Sequence, residues 1–459
     1  MNTIVALATP LGRSGIGVIR LSGDESLTIL RRLVGDNVFD PEPRVAYLKQ
    51  VRDPESSEII DEAIVTYFRK PHSFTGEDVV EISCHGSPVL LRQLIDECLR
   101  IGARMAEAGE FSLRALANGQ MNLAEAEAIR DLIDAQTTAA ARQAIRQMRG
   151  EFSHQLQPIK DQLLDLIVIL ESALEFVEDD LPAAEASTVR NGLVATRDSI
   201  AKIAATYKAG RLLREGIRVA IVGRPNVGKS SLFNALLGSD RAIVTEIAGT
   251  TRDQLHEKFS INNIPVSLID TAGLRETTDT VESIGVERSK RTIADADLVV
   301  VVVDASEKLT VEDRTILHST ERTERIIVVN KTDKLSENDL QRFLGSLRTE
   351  LDGDSPPVIP LSAKTGDGLE DFQHAMMKPF SGPELSLNGF LVSDARHFDL
   401  LVRACDEIDQ SIELFDRNAS EEIVLIGLHN ALRYLGQITG ETTTEDMLTR
   451  IFSTFCIGK

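Results

Sequence analysis

Gly223–Ser231 read GRPNVGKSS and decide the fold of the central part of the chain. The preceding Ile217–Val222 run is β-branched and predicts a buried parallel strand, and Leu232–Leu237 after it predicts a helix. The pattern G-x-x-x-x-G-K-[ST] in that context is typical of a phosphate-binding loop, whereas an ordinary glycine-rich turn needs no such flanks. The glycines let backbone N–H groups surround phosphate oxygens, and the helix N-terminus adds a positive dipole. Lys229 is expected at the β- and γ-phosphates and Ser230 on Mg²⁺.

Composition limits the classes of function. A length of 459 residues predicts about three domains, and 42% apolar with 26% charged residues is ordinary for globular proteins. The absence of Trp and a 4% aromatic content argue against base-stacking platforms for single-stranded nucleic acid. A net charge of −21 argues against a large phosphate-binding surface. Any RNA partner is therefore expected to meet a local patch or another subunit.

The cysteines and the apolar runs predict a soluble cytoplasmic protein without a membrane segment. The four cysteines lie too far apart for zinc-ligand pairs and suit a reducing compartment. No signal peptide is recognised at the start. The longest apolar run, Leu163–Leu170, contains Asp165 and is too short to span a bilayer.

The chain predicts a multidomain protein that combines α/β and all-α parts. Residues 1–118 are expected to be α+β, residues 119–215 and 379–459 helical, and residues 216–378 a doubly wound, mostly parallel sheet. Helical segments on both sides of the α/β part suggest one discontinuous bundle with the nucleotide domain inserted into it. The predicted strands are Ile4–Ala8, Ile16–Ser22, Ala63–Phe68, Ile217–Val222, Leu255–Ser260, Val266–Ile269, Leu298–Val303, Ile326–Val329 and Val358–Leu361. The predicted helices are Ser26–Leu33, Pro88–Ile101, Leu123–Met148, Glu151–Val177, Ser187–Leu213, Asp394–Phe415, Glu421–Ile438 and Thr443–Phe455.

Two local features refine this pattern. Asn262-Asn263 predicts the turn of a hairpin between two strands of the α/β part. Pro158 lies near the start of the second long helix, where it predicts a kink or a later helix start.

Further motifs after the phosphate-binding loop occur in the order that a GTPase needs. Asp270–Gly273 (DTAG) follows a strand, where Asp270 can orient Mg²⁺ and the Gly273 amide can sense the γ-phosphate. Asn330–Asp333 (NKTD) ends another strand, and the Asp333 carboxylate would accept both guanine N1–H and N2–H. Ser362–Lys364 (SAK) can support the base, and Gly249–Asp253 (GTTRD) is placed as a switch loop. Together these motifs predict guanine-nucleotide binding.

One position departs from Ras-like enzymes. The residue after Asp-x-x-Gly is Leu274, not the Gln that orients the attacking water. Either the protein is a slow switch that needs an outside activator, or a polar residue downstream supplies the water contact. Arg275, Glu276 and Glu282 are the candidates for that contact.

Longer stretches carry a family resemblance over essentially the whole chain. GRPNVGKSSLFNAL, AIVTEIAGTTRD and IDTAGLRETTDTVESIGVERS resemble the tRNA-modification GTPases of the MnmE (TrmE) family, which belongs to the TrmE-Era-like superfamily. GEDVVEISCHG, AGEFSLRALANGQMNLAEAEAIRDLIDA and the carboxyl-terminal IFSTFCIGK are similar to the same family. The FCIGK motif is far more specific than any GTPase motif.

The resemblance implies an architecture and a reaction. It implies an amino-terminal domain that binds a folate and dimerises, a discontinuous helical domain and an inserted Ras-like G domain. It implies a flavin-dependent partner, MnmG (GidA), carrying FAD, in a heterotetramer or larger complex. Together such proteins add an aminomethyl or carboxymethylaminomethyl group to carbon 5 of the wobble uridine of certain tRNAs. The folate is 5-formyltetrahydrofolate or a related tetrahydrofolate, and K⁺ stimulates GTP hydrolysis from the place of an arginine finger.

The resemblance also implies roles for particular residues. Asn226, Thr245, Ile247 and Thr250 match K⁺ ligands, and Ser230 and Thr251 match Mg²⁺ ligands. Glu282 matches a catalytic glutamate that orients water, although from the residues alone it reads equally well as an exposed helix glutamate. Lys229 is the second catalytic candidate. The GTP-binding set is Asn226, Val227, Gly228, Lys229, Ser230, Ser231, Thr245, Glu246, Ile247, Ala248, Gly249, Thr250, Thr251, Asp270, Thr271, Ala272, Gly273, Asn330, Lys331, Asp333, Ser362, Ala363 and Lys364.

The folate pocket carries over onto Arg20, Glu81, Gln120 and Lys459. Gln120 stands where relatives have a lysine, so one charge toward the folate glutamate tail would be absent, while its amide still donates hydrogen bonds. Without a ligand, Arg20 and Glu81 would be a surface strand pair and Lys459 a frayed terminus. Cys456 is a candidate participant whose alternative is a small packing residue.

Two other groups of residues are given structural interpretations. Cys84 and His85 are adjacent in a predicted strand and therefore point to opposite faces, which argues against a nucleophile pair. Arg142, Arg146 and Arg149 share a helix face that could contact tRNA phosphates, but a solvated stripe is the preferred interpretation.

The competing class of function is a GTP-dependent RNA-binding switch such as a ribosome-assembly GTPase, whose G domain would look the same. That class needs an RNA-reading module, and neither a GXXG-type module nor a basic tail is recognised in the sequence. A third alternative keeps the fold but has lost folate chemistry, and Gln120 is the residue that raises it.

Overall fold

A computed structural model describes residues 2–175, 183–239, 257–269, 294–351, 355–380, 389–442, 444, 448, 451–455 and 457–458. The chain divides into two compact units. The first comprises Met1–Ile133, Ile145–Arg197 and Arg403–Lys459, and the second comprises Asp134–Ala144 and Asp198–Val402. The domain boundaries expected from the sequence stay predictions.

The first unit begins with a six-stranded sheet in the order β3-β4-β5-β2-β1-β6. Its strands are β1 (Ile4–Leu7), β2 (Ser14–Ser22), β3 (Ala46–Arg52), β4 (Ile59–Phe68), β5 (Val79–Gly86) and β6 (Arg104–Met105). The accompanying helices are α1 (Ser26–Val34), α2 (Pro88–Arg100) and α3 (Glu110–Ala117). Leu30 of α1 and Leu94 of α2 are fully buried against Ile19 and Ile82 of the sheet. The α+β pattern expected for this part is present.

The helices that follow differ from the prediction at two places. They are α4 (Leu123–Asp134), α5 (Thr138–Met148), α6 (Glu151–Glu175), α7 (Ala183–Ala205) and α8 (Tyr207–Glu215). The single helix predicted over 123–148 is wrong, because the Thr137 hydroxyl accepts the Ala140 N–H at 3.1 Å and starts a new helix there. The helix predicted over 187–213 is likewise divided, at Thr206.

Hydrogen bonds of the Thr206 hydroxyl explain the break between α7 and α8. The Thr206 hydroxyl donates to the Ile203 carbonyl at 2.7 Å and accepts the Val392 N–H at 3.0 Å. Such a hydroxyl offers the backbone an alternative to continuing the helix. In α6 the helix starts at Glu151, ahead of Pro158, so the later start is wrong. Pro158 lacks the N–H that would donate to the His154 carbonyl, and both residues are exposed.

The second unit contains a six-stranded sheet in the order β12-β11-β10-β7-β9-β8. Its strands are β7 (Ile217–Val222), β8 (Glu257–Ile261), β9 (Ile264–Ile269), β10 (Leu298–Asp304), β11 (Arg325–Asn330) and β12 (Val358–Pro360). Strand β8 is antiparallel to β9, and the other pairs are parallel. The mostly parallel order agrees with the predicted doubly wound sheet.

Helices cover both faces of this sheet. They are α9 (Lys229–Ser239), α10 (Val311–Ser319), α11 (Glu337–Glu350) and α12 (Leu369–Met377). Val300 and Val302 pack in the cluster that holds Phe372 of α12, whereas Val299 and Val301 pack in the cluster that holds Leu347 of α11. A strand that is buried on both faces reads as a continuous apolar run, which is why Leu298–Val303 was recognisable in the sequence.

The chain continues in helices α13 (Ala395–Asp416) and α14 (Glu421–Thr439), close to the predicted bounds. Of the helix predicted over 443–455, residues 443, 445–447, 449 and 450 lie outside the described residues, whereas Leu448, Ile451 and Phe452 are helical. Asn262 and Asn263 both have positive φ, at 52° and 64°, and form the predicted hairpin turn between β8 and β9. Among the helices of the described residues, none has the length and apolar character needed to cross a membrane.

Candidate functional site

The phosphate-binding loop joins the carboxyl end of β7 to the start of α9. Gly223 has φ 154° and Gly228 has φ 100°, a left-handed conformation that disfavours other residues. A Cβ atom on Gly228 would lie 2.2 Å from the Asn330 side-chain nitrogen, and one on Gly223 would lie 2.5 Å from the Val302 carbonyl oxygen. Both glycines are therefore required by close approach as well as by backbone conformation.

Lys229 begins α9 and folds back over the loop. Its Nζ donates to the carbonyl oxygens of Gly223, at 2.7 Å, and Arg224, at 2.8 Å. Burial lowers the pKa of Lys229 below its ordinary value, because a desolvated ammonium is costly without a counter-charge. A phosphate bound at the helix N-terminus would supply that counter-charge.

The base-recognition motif and the phosphate-binding loop are joined by Asn330. This residue ends β11 and is 2% exposed. Its Nδ2 donates to the Val227 carbonyl at 2.8 Å, and its Oδ1 accepts the Ala363 N–H at 3.0 Å. One carboxamide therefore connects three of the predicted motifs.

Two further side chains complete the base-binding end. The Ser362 hydroxyl donates to Asp333 Oδ1 at 2.7 Å and so orients a carboxylate that is otherwise exposed. Lys331 has φ 65° and donates from Nζ to the Asn226 carbonyl at 2.7 Å. The structure thus brings together the predicted residues Asn226, Val227, Gly228, Lys229, Asn330, Lys331, Asp333, Ser362 and Ala363.

The remaining predicted residues of the nucleotide site are placed individually or not at all. Ser230 and Ser231 are exposed in the first turn of α9, and Lys364 is exposed after Ala363. Outside the described residues lie Thr245, Glu246, Ile247, Ala248, Gly249, Thr250, Thr251, Asp270, Thr271, Ala272, Gly273, Leu274, Arg275, Glu276 and Glu282. In the described part of the chain, no group of three His, Cys, Asp or Glu side chains is arranged to hold a metal ion.

Sequence reasoning missed two supports of this site, Asp304 and Arg224. Asp304 ends β10 and pairs with Lys331, with 2.5 Å between Oδ2 and Nζ. Arg224, inside the phosphate-binding loop, pairs with Glu307 at 2.7 Å and with the buried Asp313 at 3.2 Å. The signal for Asp304 was available, because an acidic residue that ends an apolar strand lies at the same sheet edge as the two nucleotide loops.

A second polar site lies in the first unit. Arg20 on β2 and Glu81 on β5 are directly paired in register, and the guanidinium donates to Glu81 Oε1 from Nε at 2.9 Å and from Nη2 at 2.7 Å. Arg20 Nη1 also donates to the Gly458 carbonyl at 3.2 Å. The rings of Phe74 and Phe111 lie 5.8 and 5.9 Å from the guanidinium carbon. The pair is half-buried, with side-chain exposures of 19% and 28%, which distinguishes it from a surface strand pair.

The other predicted folate residues are only partly located. Gln120 is exposed and packs on the loop that contains Gly76, where a Cβ atom would lie 3.1 Å from the glutamine Nε2. Lys459 and Cys456 lie outside the described residues. Ile457 nevertheless forms a β-bridge with Ala108, next to the Gly458 carbonyl that contacts Arg20.

Cys84 and His85 do not form a nucleophile pair. Burial raises the pKa of Cys84 to about 11, so its thiol stays protonated at neutral pH. His85 is exposed and its Nδ1 lies 2.7 Å from Asp61 Oδ1. This agrees with the structural interpretation of the two residues.

The arginine stripe is only partly helical. Arg142 and Arg146 lie on α5, and Arg149 follows its end. Arg142 and Arg149 are exposed. Contact with tRNA phosphates stays a prediction.

Replacing Gly228 by Ala tests the close approach of the two nucleotide loops. The added Cβ meets the Asn330 amide and requires a φ that alanine disfavours, so we expect guanine-nucleotide affinity to fall by more than about tenfold. Gly238→Ala in α9, where nothing lies within 4 Å of the new atom, is the matched control. Titration with a fluorescent GDP analogue measures both, and equal affinities in the two variants would contradict the geometry.

Two protein-family models match successive parts of the chain. The family model described as GTP-binding protein TrmE N-terminus matches residues 3–120, and the one described as MnmE helical domain matches residues 123–456. Among solved structures, Era of Aquifex aeolicus bound to GDP·AlF4⁻ is 26% identical over 42% of this chain and 66% of its own, with a TM-score of 0.29. The G domain of the T. maritima FeoB iron transporter is 28% identical over 36% of this chain and 99% of its own, with a TM-score of 0.25.

Full-length relatives complete the comparison. A protein of Koribacter versatilis named tRNA modification GTPase MnmE is 43% identical, covering 100% of this chain and 99% of the relative. The protein of the same name from Aquifex aeolicus is 42% identical, covering 99% of both chains. Since both family models match and these relatives align from end to end, the chain belongs to the MnmE (TrmE) family of tRNA modification GTPases.

Proposed function

We propose that this GTPase uses GTP hydrolysis to drive the addition of a carboxymethylaminomethyl or aminomethyl group to carbon 5 of the wobble uridine in certain tRNAs. A flavin-dependent partner protein, MnmG (GidA), supplies FAD in this reaction. The observation that carries the proposal is the contact of Arg20 with both Glu81 and the Gly458 carbonyl. It builds a second polar site, separate from the nucleotide loops, at the residues where the family resemblance expects a folate.

GTP binding is assigned to the loops that Asn330 connects. Lys229 neutralises the β- and γ-phosphates, and Asp333 selects guanine by accepting its two edge N–H groups. Ser230 offers a hydroxyl oxygen at the helix N-terminus, a hard ligand of the kind that Mg²⁺ takes, and Thr251 is its proposed companion. Ser230, exposed in the first turn of α9, is the described member of this proposed ligand pair.

The proposed K⁺ ligands are Asn226, Thr245, Ile247 and Thr250. Asn226 is exposed with φ 64°, and its own carbonyl accepts the Lys331 ammonium, so the oxygen that it would offer to K⁺ is that of its side-chain amide. A monovalent cation neutralises charge that develops between the β- and γ-phosphates, as an arginine would. Glu282 is proposed to orient the attacking water in place of the glutamine replaced by Leu274.

The amino-terminal site is proposed to bind a tetrahydrofolate, such as 5-formyltetrahydrofolate, through Arg20, Glu81, Gln120 and Lys459. Glu81 can accept N–H groups of a pterin edge, and the rings of Phe74 and Phe111 lie beside the guanidinium of Arg20. Lys459 and the amide of Gln120 are proposed to meet the folate glutamate tail. The residues that the structure describes are compatible with such a ligand.

The assembly that we propose is a homodimer in the cytoplasm that joins the flavoprotein in a heterotetramer or larger complex. The net charge of −21 supports a limited tRNA contact on this chain, with the rest of the tRNA surface on the partner. Cys84 and Cys98 are buried free thiols, which is consistent with a reducing compartment.

Nucleoside mass spectrometry of total tRNA tests the reaction. Cells without the gene should lack the carbon-5 aminomethyl-type wobble uridines, and the wild-type gene should restore them. Lys229→Ala should fail to restore them, because the phosphate-binding ammonium is lost. Lys202→Ala, a substitution of an exposed lysine in α7, is the control and should restore them. An unchanged profile in the deletion would favour the ribosome-assembly switch instead.

Substituting Glu282 by Ala tests the assignment of the water-orienting residue. We expect GTP affinity to stay within about twofold and kcat in K⁺ to fall by a factor of about 10² or more, the range for general-base or water-positioning groups. Glu276→Ala is the control, because Glu276 is the other downstream carboxylate. Normal turnover by the Glu282 variant, or the larger loss in the Glu276 variant, would reject the assignment.

Substituting Glu81 by Gln tests the folate site. The neutral amide keeps the shape but loses the charged acceptor, so binding of 5-formyltetrahydrofolate should weaken by about tenfold while GTP hydrolysis is unchanged. Glu62→Gln, at an exposed position on the neighbouring strand β4, provides the comparison. Calorimetric titration measures the affinity, and equal binding by both variants would contradict the proposal.

A further inference from the structure

The segment that follows β10 lies between the two nucleotide loops. In the sheet, β10 is flanked by β7, which leads into the phosphate-binding loop, and by β11, which leads into the base-recognition motif. Asp304 at the end of β10 is paired in register with Asn330 at the end of β11. The carboxyl ends of parallel strands form the edge at which such sheets bind ligands. Asp304 therefore occupies the centre of the nucleotide-binding edge.

The Asp304 carboxylate is buried, and both of its oxygens accept hydrogen bonds. The residue is 4% exposed. Its Oδ1 accepts the Ser306 N–H at 2.9 Å and the Ser306 hydroxyl at 2.7 Å. Its Oδ2 accepts the Lys331 ammonium at 2.5 Å. Despite burial, its hydrogen bonds from Lys331 and Ser306 keep the pKa of Asp304 below the ordinary value, so the group is a carboxylate at neutral pH.

Lys331 connects this carboxylate to the phosphate-binding loop. The same Nζ that contacts Asp304 donates to the Asn226 carbonyl at 2.7 Å. The Lys331 backbone is in the left-handed region, which costs free energy for a residue with a side chain. A flexible lysine stem also loses rotamer entropy when it is held in one position. The contact with Asp304 offsets both costs.

We propose that Asp304 is a positioning residue for guanine-nucleotide binding, which acts by holding Lys331 between the base-recognition motif and the phosphate-binding loop. Asp304 itself does not touch the nucleotide. Asp304 holds Lys331 in place before the nucleotide binds. The free-energy cost of ordering that side chain therefore does not reduce the affinity for the nucleotide. The proposal rests on the family's GTPase activity and on this geometry, and is independent of the metal-ion, folate and partner assignments.

A second buried carboxylate, Asp313, forms an ion pair with the phosphate-binding loop and supplies a matched control. Asp313, in the first turn of α10, is 3% exposed and pairs with Arg224 of the phosphate-binding loop through Oδ2 at 3.2 Å. It also caps its helix by accepting the Thr310 N–H at 2.9 Å. Asp304 and Asp313 are thus two buried carboxylates that support the same site through different partners. Only the first is expected to act through Lys331.

A double-mutant cycle on the full-length protein tests the proposal. The variants are Asp304→Asn, Lys331→Met and their combination, and the measurement is GDP affinity by titration with a fluorescent GDP analogue. We expect Asp304→Asn to weaken GDP binding by about tenfold in the wild-type background and by less than about twofold in the Lys331→Met background. Asp313→Asn should weaken binding by the same factor in both backgrounds.

The outcomes separate a positioning role from a purely structural one. An equal loss from Asp304→Asn in both backgrounds, or no loss in the wild type, would overturn the proposal. Melting curves by circular dichroism establish that each variant is folded. Because Lys331→Met leaves the Asp304 carboxylate without its ammonium partner, the double variant is compared with Asp304→Asn if the methionine variant unfolds. In that comparison a loss below about threefold is expected, since Lys331 is already released in Asp304→Asn, and a tenfold loss would overturn the proposal.

Discussion

The nucleotide site depends on one buried carboxamide. Asn330 donates to the Val227 carbonyl and accepts the Ala363 N–H, so the phosphate-binding loop, the NKTD motif and the SAK motif share one residue. Because both of its polar ends are buried and satisfied, any displacement of one loop leaves an unpaired polar group, which costs about 1–3 kcal/mol. This constraint explains why position 228 must be glycine: a Cβ there would occupy the space of the Asn330 amide. The loops therefore hold each other in place before any nucleotide binds.

The sequence predicted those features that depend on local chemistry. The phosphate-binding loop, the strands at its sides and the hairpin at Asn262-Asn263 were recognisable because glycine spacing, β-branched runs and asparagine turns act over a few residues. The breaks at Thr137 and Thr206 were missed because helix propensity favours continuation. A threonine hydroxyl decides otherwise only through the partners that the fold gives it, such as the Val392 N–H.

The sequence alone could not predict contacts between residues that are distant along the chain. The register that pairs Arg20 with Glu81, and the return of the chain that brings the Gly458 carbonyl to Arg20, are properties of the fold. The same holds for Asp304, whose partner Lys331 is 27 positions away along the chain. Family resemblance placed Arg20 and Glu81 in one pocket, but it gave no reason for Asp304 or Arg224. Those residues emerged only from hydrogen bonds and burial.

The two candidate sites are each built within one compact unit, the nucleotide loops in the second and the Arg20–Glu81 pair in the first. This organisation fits a protein in which a GTPase and a separate chemical site belong to one chain. The nucleotide site must then be selective for guanine, because a general NTPase would not be controlled by GTP.

Guanine selectivity is measured most directly by comparing GTP and xanthosine triphosphate binding to the wild type and to Asp333→Asn. The carboxylate of Asp333, oriented by the Ser362 hydroxyl, should accept two guanine N–H groups, whereas an amide donates to the xanthine oxygen that replaces the amino group. The account predicts that the wild type prefers GTP and that the variant prefers xanthosine triphosphate. A variant that still prefers GTP would show that the base is read elsewhere and would contradict the account.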